Sequence, residues 1–203
     1  GAGDDVLHAS NQKEEYDGGS GRDQVGYSAS ATGLTESVVV NLLTGRGSGG
    51  AAEGDVYTGV ENVRGSSSSD VLTGDAADNV LDGYIGEDSL VGGSGSDRLL
   101  GAWGADTLSG GEGRDWLEGG VGQDQLAGGR RADRFIFSSV DESPDGAERD
   151  IVLDFARHDR IVLSGLDADA DADGRQPFVF IGAAAFSGTA GELRYAVIDG
   201  GVI

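Results

Sequence analysis

The chain has no cysteine, no methionine, two prolines and two histidines among its 203 residues. Without cysteine there is no disulfide framework, so a secreted fold of this size would need another staple, and a metal can serve. The two histidines, His8 and His158, stand in no H-E-x-x-H pattern, which excludes a zinc-protease centre on this chain, and both read as surface residues. Lys13 is the single lysine, and no G-x-x-x-x-G-K-[ST] is present, so there is no phosphate loop. No G-x-S-x-G elbow occurs either. No apolar run approaches the length of a membrane span, and no signal peptide opens the chain. Carboxylates are abundant but periodic, whereas a glycosidase needs two of them isolated in a cleft. These absences lead to the expectation of a chain without a catalytic site of its own.

Positive charge is also scarce. Fourteen Lys and Arg face 36 Asp and Glu, giving a formal charge of -22. Such a surface repels nucleic acid and anionic membranes, so neither is expected as a direct partner. A chain this acidic and this rich in glycine (38 residues) could stay unfolded through self-repulsion. What argues for order is the periodicity of its glycines.

Eight nine-residue units follow one another from Gly65 to Ile136, beginning at Gly65, Gly74, Gly83, Gly92, Gly101, Gly110, Gly119 and Gly128. The sixth position reads Asp70, Asn79, Asp88, Asp97, Asp106, Asp115, Asp124 and Asp133. The eighth reads Leu72, Leu81, Leu90, Leu99, Leu108, Leu117, Leu126 and Phe135. Glycine at the first position, and often at the second and fourth, is expected to let the chain turn with φ above zero and to gather carbonyl oxygens. The Asp then closes the turn. Calcium takes six to eight oxygens at about 2.3–2.6 Å and accepts carbonyls as readily as carboxylates, so such a turn supplies both kinds of ligand. The three residues after each Asp are too few for a helix but suit a short strand, whose middle residue, the Leu column, becomes the core. Asp and Gly are also the ordinary residues of polar turns. Eight consecutive registers with a Leu ladder two residues later weigh against that plainer reading.

The pattern is G-G-x-G-x-D-x-U-x, and it resembles the calcium-binding region of RTX proteins exported by type I secretion. The resemblance implies an all-β fold: a right-handed parallel β-roll with two nonapeptides per 18-residue coil, closed by a C-terminal β-rich cap. It also implies that each ion sits between loops two repeats apart. The earlier loop gives its second and fourth carbonyls and its Asp, and the later loop its first and third carbonyls and its Asp. Carried onto this chain, one stack holds Asp70, Asp88, Asp106 and Asp124. Its carbonyls come from Ser66, Ser68, Gly83, Tyr84, Ile85, Gly86, Gly101, Ala102, Trp103, Gly104, Gly119 and Val121. The other stack holds Asn79, Asp97, Asp115 and Asp133, with carbonyls from Gly92, Gly93, Ser94, Gly95, Gly110, Gly111, Glu112, Gly113, Gly128 and Arg130. Two stacks of four loops contain about six sites. The cleanest lie between Asp97 and Asp115 and between Asp115 and Asp133. Asn79 brings one negative charge fewer and a weaker site, and Ser68, Ala77 and Arg131 replace glycine at the fourth position.

Upstream, Gly1 to Leu7 and Gly18 to Val25 fit the same frame, with Asp5 and Asp23 one coil apart. A further ion is expected there, with carbonyl help from Gly1, Gly3, Gly18 and Ser20, which brings the calcium count to about six or seven. Ala9 to Asp17 keeps the frame, with Glu14 and Tyr16 at its sixth and eighth positions but without its glycines. The register slips between Gly18 and Gly65, where Glu36–Leu43 and Val56–Val63 read as strands around a Gly-rich loop, Gly45–Gly54. Three stretches follow: irregular coils over 1–64, the repeats over 65–136, and a cap over 137–203. Asp150 to Phe155, Asp159 to Ser164, Phe178 to Gly182, Phe186 to Gly188 and Gly191 to Tyr195 resemble the cap of serralysin-type metalloproteases. A roll needs such a cover for its last apolar layer. Asp169-Ala170-Asp171-Ala172-Asp173-Gly174 matches half an EF-hand loop, but Phe180 stands where a bidentate Glu is required, so a solvated acidic loop is the expectation.

Gly1 falls at the second position of a repeat, so the sequence reads as a piece of a longer chain, and with the sequence ending at Ile203 the completeness of that family's export signal stays open. The resemblance implies an extracellular module, with calcium, an upstream domain of the same protein and the type I exporter as partners. The parent would be a hydrolase such as a serralysin-like metalloprotease. An RTX adhesin or carbohydrate-binding protein is the second reading, and a polysaccharide-modifying enzyme the third.

Overall fold

The computed structural model describes residues 1–27, 36–139, 142 and 149–163, together with the strand backbones of 179–182, 192–194, 197–198 and 201–202. Its described residues are all-β, without an α-helix and with one short 3-10 turn at Gly50–Ala52. Among the described residues, no helix is long and apolar enough to cross a membrane.

Consecutive repeats alternate between two sheets, because a strand in one is followed nine residues later by a strand in the other. One sheet runs through Val6–His8, Gln24–Gly26, Asn62–Arg64, Val80–Ile85, Arg98–Trp103, Trp116–Val121, Arg134–Ile136 and Arg160–Val162, every pair parallel. The second holds Val71–Thr73, Ser89–Gly95, Thr107–Gly113, Gln125–Arg130 and Ile151–Val152, again in parallel. Within the repeats the register is one coil of 18 residues, as in Leu90 against Leu108 and Leu99 against Leu117. This is the expected parallel β-roll. The Leu column faces inward from both sheets, and Leu72, Leu81, Leu90, Leu99, Leu108, Leu117, Leu126 and Phe135 are all buried. Fully burying a Leu side chain is worth about 1.5–3 kcal/mol, so this one column is the main apolar support of the coils.

Three features differ from the sequence reading. Val56–Val63 is not one strand but two, Val56–Thr58 and Asn62–Arg64, in different sheets. Six of the eight repeat strands are six or seven residues long instead of three. They run on into the first residues of the next loop because stacked loops share the parallel register, with Gly93 against Gly111 and Ala102 against Gly120. The stretch Gly45–Gly54 is not simply a loop. It contains the strand Arg46–Ser48, which pairs antiparallel with both Val39–Asn41 and Val56. Gly47 fits there because it has no side chain: a β-carbon on it would stand 2.7 Å from the Ala52 carbonyl and would collide with the Tyr57 hydroxyl. This meander is the register slip. It inserts antiparallel strands into the second sheet, while in the first sheet Val25 pairs directly with Val63, 38 residues on. The parallel ladders continue past Ile136 to Arg160–Val162 and Ile151–Val152, and the latter is met antiparallel by Gly201–Val202. Asp169–Gly174 and Phe186–Gly188 lie outside the described residues.

Candidate metal centre

The sixth-position residues form two hydrogen-bonded columns. The backbone N–H of Asp70 donates to Oδ1 of Asp88, that of Asp88 to Asp106, and that of Asp106 to Asp124, each at 2.7 Å. In the other stack Asn79 donates to Asp97 at 2.8 Å, Asp97 to Asp115 at 2.9 Å, and Asp115 to Asp133 at 2.9 Å. The two stacks that the resemblance implies are therefore present as hydrogen-bonded columns. Asp5 and Asp23 repeat the relationship at 2.8 Å.

Each of these bonds engages one carboxylate oxygen and leaves the other. Oδ2 of Asp23, Asp88, Asp97, Asp106, Asp115 and Asp133 is buried without a hydrogen-bond partner. Leaving a buried charged acceptor unmatched is costly. The carboxyls respond accordingly. Desolvation, against a single backbone N–H bond, raises Asp88 and Asp115 to about 6 and Asp97 and Asp106 to about 7 from the ordinary 3.8, with neighbouring carboxylates adding to the rise. Desolvation raises Asp133 as well. A divalent cation facing Oδ2 reverses this logic, because it favours the ionised form and supplies the missing partner.

The backbone is arranged to the same end. Oδ2 of each Asp lies over the first-position glycine of its own loop; a β-carbon on Gly110 would stand 2.5 Å from Asp115 Oδ2 and 2.7 Å from the Gly128 carbonyl. The first glycine is thus required for space. Its φ is not positive, contrary to the expectation, and the left-handed turn falls at the second and fourth positions, as at Gly93 (φ 110) and Gly95 (φ 120). Tyr84, Ala102 and Arg131 hold such angles without being glycine, so the turn persists where the sequence departs from the pattern. Carbonyls of Gly93, Gly95, Gly86 and Gly104 project toward the second and fourth residues of the loop one coil on. Those of Gly83, Gly110 and Gly128 project back toward the first residue of the loop before. Carbonyl and carboxylate oxygens thus converge on the gaps between stacked loops, and this hard-oxygen donor set fits calcium. No group of three or more His, Cys, Asp or Glu side chains converges among the described residues. A site whose donors are largely carbonyls does not need one.

The ends of the columns are different. Asp70 is satisfied by protein donors, with Oδ2 accepting from Ser66 N at 2.5 Å and Oδ1 from Ser66 Oγ at 2.9 Å and Val38 N at 2.7 Å. Asn79 is satisfied too: Oδ1 accepts from Asp75 N at 2.8 Å and its amide donates to the Glu61 carbonyl at 2.8 Å. Asp5 sits half-exposed beside the N-terminal ammonium. The carboxylates without a protein partner for Oδ2 thus fall from the third repeat to the last, and at Asp23.

Several members of the columns escaped the sequence reading. Asp23 N donates to Glu61 at 2.9 Å, Glu14 N to Asp55 at 2.8 Å, Asp124 N to Asp150 at 3.0 Å and Asp133 N to Asp159 at 3.0 Å. Asp154 closes the last loop by accepting from Gly128 N and Gly129 N, both at 2.8 Å. Their spacings of 38, 41 and 26 residues break the 18-residue period. The available signal was local: Asp150 and Asp159 each precede an apolar strand, as the repeat Asp residues do.

Residues 1–25, 64–99 and 100–134 match, in four copies, the RTX calcium-binding nonapeptide repeat. This chain carries an RTX calcium-binding domain. The matched RTX segments coincide with the two column regions, Asp5–Asp23 and Asp70–Asp133, and leave out the antiparallel meander between them. RTX repeats bind calcium, and the orphaned Oδ2 atoms are where this chain would hold it. No curated protein matches the chain.

Proposed function

We propose that this RTX domain is a calcium-triggered folding module of a larger exported protein. The carrying observation is the row of buried carboxylate oxygens without a partner. They make the metal-free fold costly at neutral pH and the calcium-loaded fold favourable. Extracellular calcium modules bind at about 10⁻⁴–10⁻³ M, so such a chain stays open where calcium is scarce and folds where it is plentiful. RTX repeat domains are typical of secreted proteins, and this coupling suits passage through a type I exporter in the unfolded state, followed by folding outside. About six or seven ions would offset more than half of the formal charge of -22. The parent is proposed to be a hydrolase, with a serralysin-like metalloprotease favoured by Asp150–Phe155 and Asp159–Ser164. On this reading the module has no catalytic site of its own and serves the stability and export of its neighbour.

Far-UV circular dichroism during a calcium titration tests the reading. Strand signal should appear cooperatively in the millimolar range and disappear with chelator, and a spectrum indifferent to both would refute it.

A further inference from the structure

The scarce cations of this chain are not spread evenly. Along the outer face of the first sheet, Arg98, Trp116, Arg134 and Arg160 occupy one column on four successive parallel strands, each in register with the next. Beside them runs the column that precedes the metal-site Asp residues, with Arg114 and His158 flanking the small Ala132. Arg114, Trp116, Arg134, His158 and Arg160 surround a shallow depression of about 520 Å³, with buried Asp133 at its edge.

Structural roles do not account for this grouping. Arg98 pairs with Glu118 at 3.7 Å, and Arg134 lies over the Trp116 ring at 4.8 Å. Among the described residues, no carboxylate lies within ion-pair distance of Arg114, Arg134 or Arg160, although the chain carries 36 acidic residues. Arg134 and Arg160 instead stand directly opposite each other on adjacent strands. Like charges directly opposite each other weaken a strand pair, so the juxtaposition of Arg134 and Arg160 is not itself a support of the sheet. An arginine fork matches a carboxylate in a bidentate manner, and an exposed indole offers a flat apolar face with a polar edge.

We propose that this depression is a binding site for a carboxylate-bearing sugar, a uronic acid unit of an acidic polysaccharide, with Arg134 and Arg160 holding the carboxylate and Trp116 packing on the ring. A ligand with one charge per ring suits the surroundings better than a dense polyanion. The chain's overall charge repels the latter, and Asp78 and Glu112 border the neighbouring groove beyond Arg114.

The test uses the chain at saturating calcium. Calorimetric titration with a uronic acid tetrasaccharide should show binding that weakens with added salt, whereas its carboxyl-reduced neutral counterpart should not bind. Arg134→Gln with Arg160→Gln should weaken binding about tenfold or more, while Arg98→Gln changes it less than about twofold. In Trp103→Phe, where Trp116 is the one remaining tryptophan, the sugar should perturb the fluorescence. Arg160→Gln alone should leave the thermal midpoint unchanged or raised, since it relieves a like-charge pair, and that separates ligand loss from unfolding. Equal binding of the neutral sugar, indifference to the double substitution, or preference for inorganic phosphate or a single-stranded oligonucleotide would each overturn the proposal.

Discussion

Asp97 and Asp115 stand one coil apart, joined by a 2.9 Å hydrogen bond from the Asp97 backbone N–H to Asp115 Oδ1, while Oδ2 of both remains buried without a partner. One oxygen of each carboxylate builds the stack and the other is left for an ion. Replacing both with Asn should therefore raise the calcium midpoint of folding by about tenfold or more, because two charged ligands are lost from adjoining sites. Glu87→Gln, on an exposed position of a loop in the other stack, should shift it little. The midpoints come from circular dichroism against free calcium; equal shifts for the two variants would place the sites elsewhere.

Acid should act in two opposing ways. Asp88, Asp97, Asp106 and Asp115 have folded-state values of about 6 to 7, above the ordinary 3.8. A raised value means that the metal-free fold is favoured when the group is protonated, fully so below about pH 4, and that this support is lost as pH rises through 6 to 7. Each two-unit rise is worth roughly 3 kcal/mol, so a few ionised sites together rival the roughly 5–15 kcal/mol net stability of a typical domain. Without calcium, strand signal is therefore expected to grow as pH falls from 8 toward 4. With calcium present the midpoint should instead move to higher concentration as pH falls, since protons and calcium compete for Oδ2. A metal-free chain that becomes more ordered with rising pH would contradict the assignment.

Gly110 tests the requirement for space. A methyl group there would stand 2.5 Å from Asp115 Oδ2 and 2.7 Å from the Gly128 carbonyl, and neither can withdraw without leaving the metal gap. Gly110→Ala should cost about 1–3 kcal/mol or more at saturating calcium, measured by urea unfolding. Gly26→Ala is the control, because a β-carbon there meets nothing within 4 Å.

The roll was legible because its chemistry repeats: a first glycine beneath a carboxylate, an Asp and an inward Leu recur every nine residues, and each column survives into the structure. The meander was not, because Arg46-Gly47-Ser48 has no apolar alternation and is held by its neighbours, with Gly47 against Tyr57 and Ala52. The protein-satisfied state of Asp70 and Asn79 was equally hidden. It depends on Ser66, Val38, Asp75 and Glu61, and a repeat alignment gives no reason to join Val38 or Glu61 to those loops.

The meander also carries a polar core held by protein hydrogen bonds. Tyr27 Oη donates to Asp55 Oδ2 at 3.0 Å and is hydrogen-bonded to Tyr57 Oη, Glu14 N donates to Asp55 Oδ1 at 2.8 Å, and Tyr16 stacks on Tyr57 with ring centres 5.8 Å apart. Asp55 and Tyr27 are wholly buried, and desolvation raises the Asp55 carboxyl. Removing the Tyr27 hydroxyl strands Asp55 Oδ2, which should cost about 1–3 kcal/mol. Tyr27→Phe is therefore expected to lower the urea midpoint at saturating calcium while leaving the number of ions bound per chain unchanged, whereas Asp115→Asn lowers that number. Loss of ions in Tyr27→Phe would show that this cluster and the calcium stack form one cooperative unit.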